Sequence, residues 1–467
     1  MYPAAIRRRA HQLPPVLLGA AALVLGTLCG GGAQAGGFTA APASALDLSL
    51  GGAGIAMAEG AAALWLNPAA LDERRFGAAL TLSISSDDST LVRDGPVVNQ
   101  SLPEARDGEG PRLAPTIAIA AAIVRNRLWV GLGYHQALRH ESRFLPPDSD
   151  RLEESARYLG RSLSLVDHRV ALGAALALGF VRIGVALEIG YAKLDHARAL
   201  WAGFDADATQ LEQSRYDSDA ELSLGGASFA ARLGVALRPW RWLRLGAVFS
   251  PPGVRRLSGA LRLQPPAQAP SGFTSISARN GDADLDLDPP LGLDVGAALE
   301  AGRRLTFVAA LRWRRWSSIG TPRARLSGAG YDLSGAAPQA VDAASLGLGF
   351  TLRDALSLHA GAELRLLDGF MRLRVGYAYQ RGTTPAQSPS SVLLDPPRHT
   401  VAGGAEVRAG ALAIAASVAH SFGVQLRSEG GGTALENPLA PEVTRDIGAG
   451  RYEASSTRVV LELRLAL

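Results

Sequence analysis

From Phe76 to Ser85 the chain alternates strictly: Phe76, Ala78, Leu80, Leu82 and Ile84 share one phase, and Gly77, Ala79, Thr81, Ser83 and Ser85 the other. A period of two is that of a strand with one apolar face. The pattern recurs to the last residue. Val181, Ile183, Val185, Leu187, Ile189 and Tyr191 alternate with Arg182, Gly184, Ala186, Glu188 and Gly190. Met371, Leu373, Val375, Tyr377 and Tyr379 alternate with Arg372, Arg374, Gly376, Ala378 and Gln380, and Leu461, Leu463 and Leu465 bracket Glu462 and Arg464. Charge keeps to the second phase. The runs are about 10 to 16 residues long, the length of a tilted strand that crosses a bilayer. Arg125-Asn126, Ala301-Gly302, Leu367-Asp368-Gly369 and Ala409-Gly410 make tight turns between alternate pairs, and long polar segments such as 140–160, 264–288 and 423–453 join the other ends. Lipid cannot satisfy backbone N–H and C=O groups, so strands cross it only as a closed barrel.

Two long segments decide the strand count. Trp242 to Leu263 is expected to be one strand kinked at Pro251-Pro252. Leu346 to Leu352 and Leu356 to Leu364 keep their apolar residues on even positions, so the chain is expected to run through Arg353-Asp354 without changing faces, leaving Asp354 outside the hydrocarbon layer. The expectation is an all-β transmembrane fold, a 14-stranded antiparallel outer-membrane β-barrel. Eight strands enclose a space that side chains fill, and sixteen leave an aqueous channel. Fourteen therefore need a filler. The Gly- and Ala-rich segment 36–75 is the candidate, a small N-terminal helical hatch in the lumen ahead of the barrel at 76–467. It ends in Trp65-Leu66-Asn67-Pro68-Ala69-Ala70-Leu71. Pro68 stops a helix from continuing, and Asn67 is suited to cap neighbouring backbone groups.

The N-terminus reads as a secretory signal over 1–35: Arg7, Arg8 and Arg9, an apolar run from Val16 to Cys29, and Ala33-Gln34-Ala35. Cys29, the only cysteine, falls inside it, so the mature chain is expected to hold no thiol. Removing Arg7, Arg8 and Arg9 from the 47 basic residues leaves 44 against 43 acidic ones, a balance that argues against a nucleic-acid partner. Only 19% of residues are charged and the mean hydropathy is +0.10. Beyond the leader no run approaches the roughly 18 apolar residues of a spanning helix.

Enzyme signatures are lacking: there is no G-x-S-x-G elbow, H-E-x-x-H or phosphate-binding G-x-x-x-x-G-K-[ST], and the histidines have no zinc-ligand spacing. The chain is read as a non-enzyme with no metal and no cofactor. Arg182, Glu188, Arg232, Asp294, Arg312, Arg314, Glu363, Arg365, Arg372, Arg374, Glu462 and Arg464 occupy the inward phase. Two readings stay open for them: ion pairing across the lumen, and one Arg held for a ligand carboxylate.

The stretch Gly36-Gly37-Phe38 followed by "LGGAGIAMAEGAAALWLNPAAL" resembles the start of the FadL/TodX-type (OMPP1) outer-membrane transport proteins for long-chain fatty acids and hydrophobic compounds. "LRWRRWSSIG" (311–320), "MRLRVGYAYQRGTTP" (371–385) and "LLDPPRHTVAGGAEV" (393–407) are similar to later blocks of that family. The resemblance implies passive uptake of long-chain fatty acids or aromatic hydrocarbons through a luminal pocket, a hatch and a lateral wall opening, in the outer membrane of a Gram-negative bacterium. It implies a hydrophobic small-molecule ligand, contact with outer-membrane lipid and lipopolysaccharide, and a monomer. It places Phe38, Asn67 and Pro68 on family hatch positions, with plug packing and ligand contact both open for Phe38. Gly131 and Gly133 in the third strand are candidates for a wall kink. The alternative is a PorV-like scaffold or secretion-associated barrel, which shares the Asn-Pro-Ala signature.

Overall fold

The computed structural model describes residues 42–73, 75–95, 101–144, 155–203, 212–441 and 445–467; the signal segment and Phe38 lie outside these residues. Six staves are single runs: β1 (Phe76–Arg93), β2 (Arg112–Val124), β3 (Leu128–Arg143), β4 (Ser162–Leu178), β5 (Val181–Trp201) and β6 (Asp217–Trp240). The next four are each broken once: β7 (Leu243–Ser250, Val254–Gln264), β8 (Gly281–Asp286, Gly292–Ala301), β9 (Leu305–Arg314, Arg323–Ser327) and β10 (Ser345–Gly347, Ala355–Leu366). β11 (Met371–Gln380), β12 (Arg398–Ala409), β13 (Leu412–Gly423, Leu426–Ser428) and β14 (Gly450–Ala466) complete the set. Each stave pairs antiparallel with the next, and β14 returns to β1 from Gly77↔Ala466 to Arg93↔Gly450. The cylinder is closed with fourteen staves, as the alternation predicts.

β5 shows where the solvent changes. Ile183, Leu187, Ile189 and Tyr191 are exposed on its outer face, and the next two outward positions are Lys193 and Asp195, an ion pair at 2.7 Å. The inward face changes over the same stretch: Glu188 is followed by buried Ala192 and Leu194. Apolar-out gives way to apolar-in, which marks the outer edge of the hydrocarbon layer. Beyond it the staves continue as a water-facing cylinder with its own core, built from Leu222, Leu224, Leu257, Leu261, Leu285, Leu346, Phe350 and the returning loop residues Val392 and Leu393. β6 accordingly reaches 24 residues, longer than a bilayer needs. Segments that read as polar loops are in part the outer ends of strands.

β10 differs from the sequence expectation in its facing. Leu346, Leu348, Phe350 and Leu352 are buried in the outer core, whereas Leu356 and Leu358 are exposed to lipid. The strand is interrupted at 348–354, where Gly349 adopts φ +75°, a conformation that suits glycine. The interruption resets the phase, so the shared even numbering conceals a change of face. Asp354 accepts a hydrogen bond from the Ser317 amide at 3.0 Å. A three-stranded sheet of Phe273–Arg279, Gly330–Gly335 and Gln339–Asp342 is hydrogen-bonded separately from the cylinder and packs on its outer core through Tyr331 and Leu333.

The solvent boundary generates a first expectation. Leu187→Arg, on the lipid face midway between the turn at Gly179 and Lys193, should lower stability by about 2–4 kcal/mol in urea unfolding from lipid vesicles. Arginine at position 193 should be close to neutral in the same assay.

Candidate functional site: a luminal cavity above a seated hatch

Residues 42–73 lie inside the cylinder. The short helix α1 (Ala45–Ser49) is capped by the Ser44 side chain, which accepts from the Leu46 amide at 3.1 Å. Its first amide, Ala45 N–H, donates to Glu462 on β14 at 2.6 Å, so the wall satisfies a donor that a helix start leaves free. α2 (Ala63–Leu66) stops at Asn67, and Pro68–Ala70 forms a 3₁₀ turn. Asn67 accepts from the Ala69 amide at 3.2 Å and donates through Nδ2 to the Val235 carbonyl on β6 at 3.1 Å. The "NPAAL" turn thus ends the hatch, pins it to the wall and directs the chain into β1.

Small wall residues make the fit possible. Ala61 to Trp65, Ala70 and Leu71 pack on Ala79, Ala118, Ala120, Ala171, Ala175 and Ala186. A girdle of glycines touches the hatch backbone. A Cβ added at Gly184 would collide with Pro68 and Ala69, at Gly234 with Asn67, at Gly376 with Leu50 and Gly51, and at Gly133 with the Trp65 ring. Gly131 faces Leu71. Pairing through both of these β3 glycines is unbroken, Gly131 with Ala120 and Gly173, and Gly133 with Ala118 and Ala171.

Charges complete the seating. Glu59 of the hatch meets Arg372 at 3.4 Å, Arg464 at 3.0 Å, and Arg408. Burial alone would raise its pKa, but these three guanidiniums hold the Glu59 carboxyl well below the ordinary carboxylate range. Asp47 accepts from Arg312 on β9 at 2.7 Å and from the Gly54 amide at 2.9 Å. The inward charges are paired with one another, as in Arg374 with Glu363 and Glu406, and also with the hatch. Sequence reading missed Glu59 and Asp47. Their signal was present: 36–73 carries acids at 47, 59, 72 and 73 and no base, opposite a wall rich in arginine.

Along β6 the levels follow in order: Gly234 against the hatch, Arg232 and Ala230 on a cavity, then Leu224 and Leu222 in the outer core. The cavity measures about 400 Å³. Leu48, Trp65 and Leu66 of the hatch border it, and Leu138, Ala230, Val248, Pro251, Pro289, Pro290 and Trp316 add apolar wall. Seven arginines line it, 169, 232, 255, 312, 314, 398 and 458, against Asp47 and Asp294. Behind the lining, Asp167 serves Arg169 and Arg255, each at 2.7 Å, while Glu188 serves Arg169 at 3.1 Å and Arg232 at 2.9 Å. These two carboxylates bridge three guanidiniums, and a third carboxylate, Asp288, accepts from the Arg255 amide at 2.8 Å. Among the described residues no group of His, Cys, Asp and Glu is arranged to hold a metal ion.

A closed barrel with an apolar outer band, a seated hatch and a luminal cavity defines a plugged outer-membrane transport barrel. Residues 26–410 match the family described as outer membrane protein transport protein (OMPP1/FadL/TodX), and the chain belongs to that family. It therefore resides in the outer membrane of a Gram-negative bacterium. Three solved structures share the fold. A Pseudomonas aeruginosa FadL homologue is 16% identical with a TM-score of 0.72, over 92% of this chain and 100% of that one. The Pseudomonas putida toluene transporter TodX is 16% identical with a TM-score of 0.65, over 93% and 100%. The Ralstonia pickettii toluene transporter TbuX is 18% identical with a TM-score of 0.60, over 91% and 98%. No curated protein sequence matches the chain.

Removing the Glu59 carboxylate leaves Arg372, Arg408 and Arg464 with only the wall acids Glu363, Glu406 and Glu462 and cuts their tie to the hatch. Glu59→Gln should weaken hatch seating by about 3 kcal/mol, in line with the loss of one partner from a buried pair. The expected readout is steady salt conductance in planar bilayers, where the wild-type barrel is closed.

Proposed function

We propose that this barrel takes up hydrophobic small molecules passively, and that its preferred cargo carries an anionic head, as a long-chain fatty acid does. The observation that carries the reading is the cavity itself: apolar wall and hatch side chains on one part of its surface, and seven arginines against two aspartates on another. Its volume of about 400 Å³ falls within the range of small-molecule sites, roughly 300–1,000 Å³. TodX and TbuX are toluene transporters, and a neutral aromatic would use the apolar wall alone. A carboxylate would in addition pair with the arginines that line the cavity, among them Arg169, Arg232 and Arg255.

Energetics favour a mixed lining over a greasy one. Each buried methylene contributes about 0.8 kcal/mol, so a wholly apolar channel would hold an acyl chain too tightly for release. The lining leaves part of a tail unburied, which keeps the bound state shallow. The closed ladder and the apolar outer band support a monomer that meets outer-membrane lipid and lipopolysaccharide directly.

Purified protein should bind oleate about tenfold more tightly than oleyl alcohol, the scale of one charge-assisted hydrogen bond. In Arg232→Gln that preference should shrink towards unity while binding of the alcohol is kept. Equal affinity for acid and alcohol in the wild type would count against the anionic head, and no binding of either would sink the uptake reading.

A further inference from the structure

The short turns mark the periplasmic end of the barrel, and half of that rim is basic. Arg75 precedes β1, Arg125 and Arg127 lie in the turn after β2, Arg241 in the turn after β6, and Arg303 and Arg304 in the turn after β8; all are exposed. Among the described residues none of these six guanidiniums has an acidic partner. Backbone hydrogen bonds tie each turn to the next. The Ala122 amide donates to the Arg75 carbonyl at 2.9 Å, Ala177 to Arg127 at 2.8 Å, Arg238 to Phe180 at 2.9 Å, Glu300 to Trp242 at 2.8 Å and Arg365 to Arg304 at 2.7 Å. Residues scattered through 230 positions of sequence therefore form one arc along the rim, from β1 to β9.

The arc is one-sided. Its nearby acids are already engaged: Asp72 pairs with Arg182 at 3.4 Å, and Glu300 with Arg244 at 2.6 Å and Arg238 at 3.7 Å. Over the rest of the rim the turns at Leu367–Gly369 and 409–411 present exposed Asp368 and no exposed base. Arg365 there is drawn to Glu363 at 2.9 Å, and Arg408 to Glu59 of the hatch. Apolar side chains mark the level at which the arc stands. Ile123, Val124, Leu178, Phe180, Trp240 and Trp242 are exposed beside it, and the two indoles stack nearly parallel with centroids 5.2 Å apart. Tryptophans gather at the edge of the hydrocarbon layer, and an arginine lays its stem on apolar surface while its head stays in the polar layer. In Arg238-Pro239-Trp240-Arg241-Trp242 the two residue types interleave.

We propose that this arc is a binding surface for anionic phospholipid headgroups of the periplasmic leaflet, of the phosphatidylglycerol class, chosen over zwitterionic phosphatidylethanolamine. Both lipids offer a phosphate that a guanidinium can grip with two hydrogen bonds. Only the first arrives with a net negative charge. The ethanolamine head adds an ammonium to a rim that already holds six unmatched cations, so it relieves nothing. A phospholipid also meets both features of the arc at once, its phosphate on the arginines and its chains on Trp240, Trp242, Phe180 and Ile123. An acidic periplasmic protein would feel the same charge but has no use for the exposed apolar row beside it. The surface lies outside the lumen, and the proposal stands whatever the cargo is.

The test is lipid selection by the mature barrel. Protein reconstituted in vesicles of equal parts phosphatidylglycerol and phosphatidylethanolamine is released into mild detergent, and native mass spectrometry counts the lipids it retains. An arginine close to an anionic surface is worth about fivefold in affinity, and the wild type should retain phosphatidylglycerol over phosphatidylethanolamine by at least that ratio. The preference should fall towards unity in R241Q with R303Q and R304Q, and high salt should weaken it in the wild type. R125Q with R127Q, at the other part of the arc, is the second variant should the first fail to fold, and heat-modifiable gel mobility reports folding. R262Q, an exposed arginine at the outer end of β7, should leave the preference unchanged. Equal retention of the two lipids by the wild type would overturn the proposal. So would a preference that survives in both arc variants, which would leave the arginines to an acidic periplasmic protein instead.

Discussion

Backbone hydrogen bonding is the constraint on which this structure depends. A strand in lipid must find a partner along both edges for every amide and carbonyl, and a sheet does so only by closing. The seventeen-pair seam between β14 and β1 is that closure. It fixes the strand number, and the strand number fixes an interior too wide to be filled from the wall. Everything else in the lumen answers the resulting vacancy. The hatch fills the lower part, the outer loops and inward leucines fill the upper part, and the layer between them stays open as the cavity.

The two fillings use different physics. The upper core is held as a soluble protein's is, by apolar burial, because beyond Lys193 and Asp195 the outside is water. Within the membrane the outside is already apolar, and the hydrophobic effect no longer distinguishes inside from out. Seating the hatch therefore adds close backbone approach at glycines and charge to its apolar packing on small wall residues. Four acids and no base lie between 36 and 73, and two of them are matched by Arg312 and by the trio of Arg372, Arg408 and Arg464. Charge also makes the seating specific, since arginines on three different staves converge on Glu59 only when the segment is correctly placed.

Much of this was legible from residue order. Period-two runs, tight turns and their alternation gave the barrel, its count and the stop at Asn67-Pro68. What was not legible shares one cause: periodicity reports the relative phase of residues within a run and nothing across a break. Leu346 to Leu352 and Leu356 to Leu364 agree in parity, yet face opposite ways because Gly349 lies in the left-handed region between them. The glycine girdle was hidden for a related reason. Gly133, Gly184, Gly234 and Gly376 are distant in sequence and look like composition until the pairing brings them onto one ring around the hatch. Four interrupted strands likewise become one feature only when register puts the interruptions side by side.

That register also places the break where its cost is lowest. Deeper, each unsatisfied amide would face hydrocarbon at several kcal/mol. At the edge of the band, lost ladder bonds can be recovered from water, headgroups and charged side chains such as Asp286 and Arg325. The hatch stays latched by Glu59 below and the outer core stays closed above. Beside the cavity the wall is held by few backbone hydrogen bonds in two places, between β8 and β9 and between β2 and β3 above Thr116 and His135.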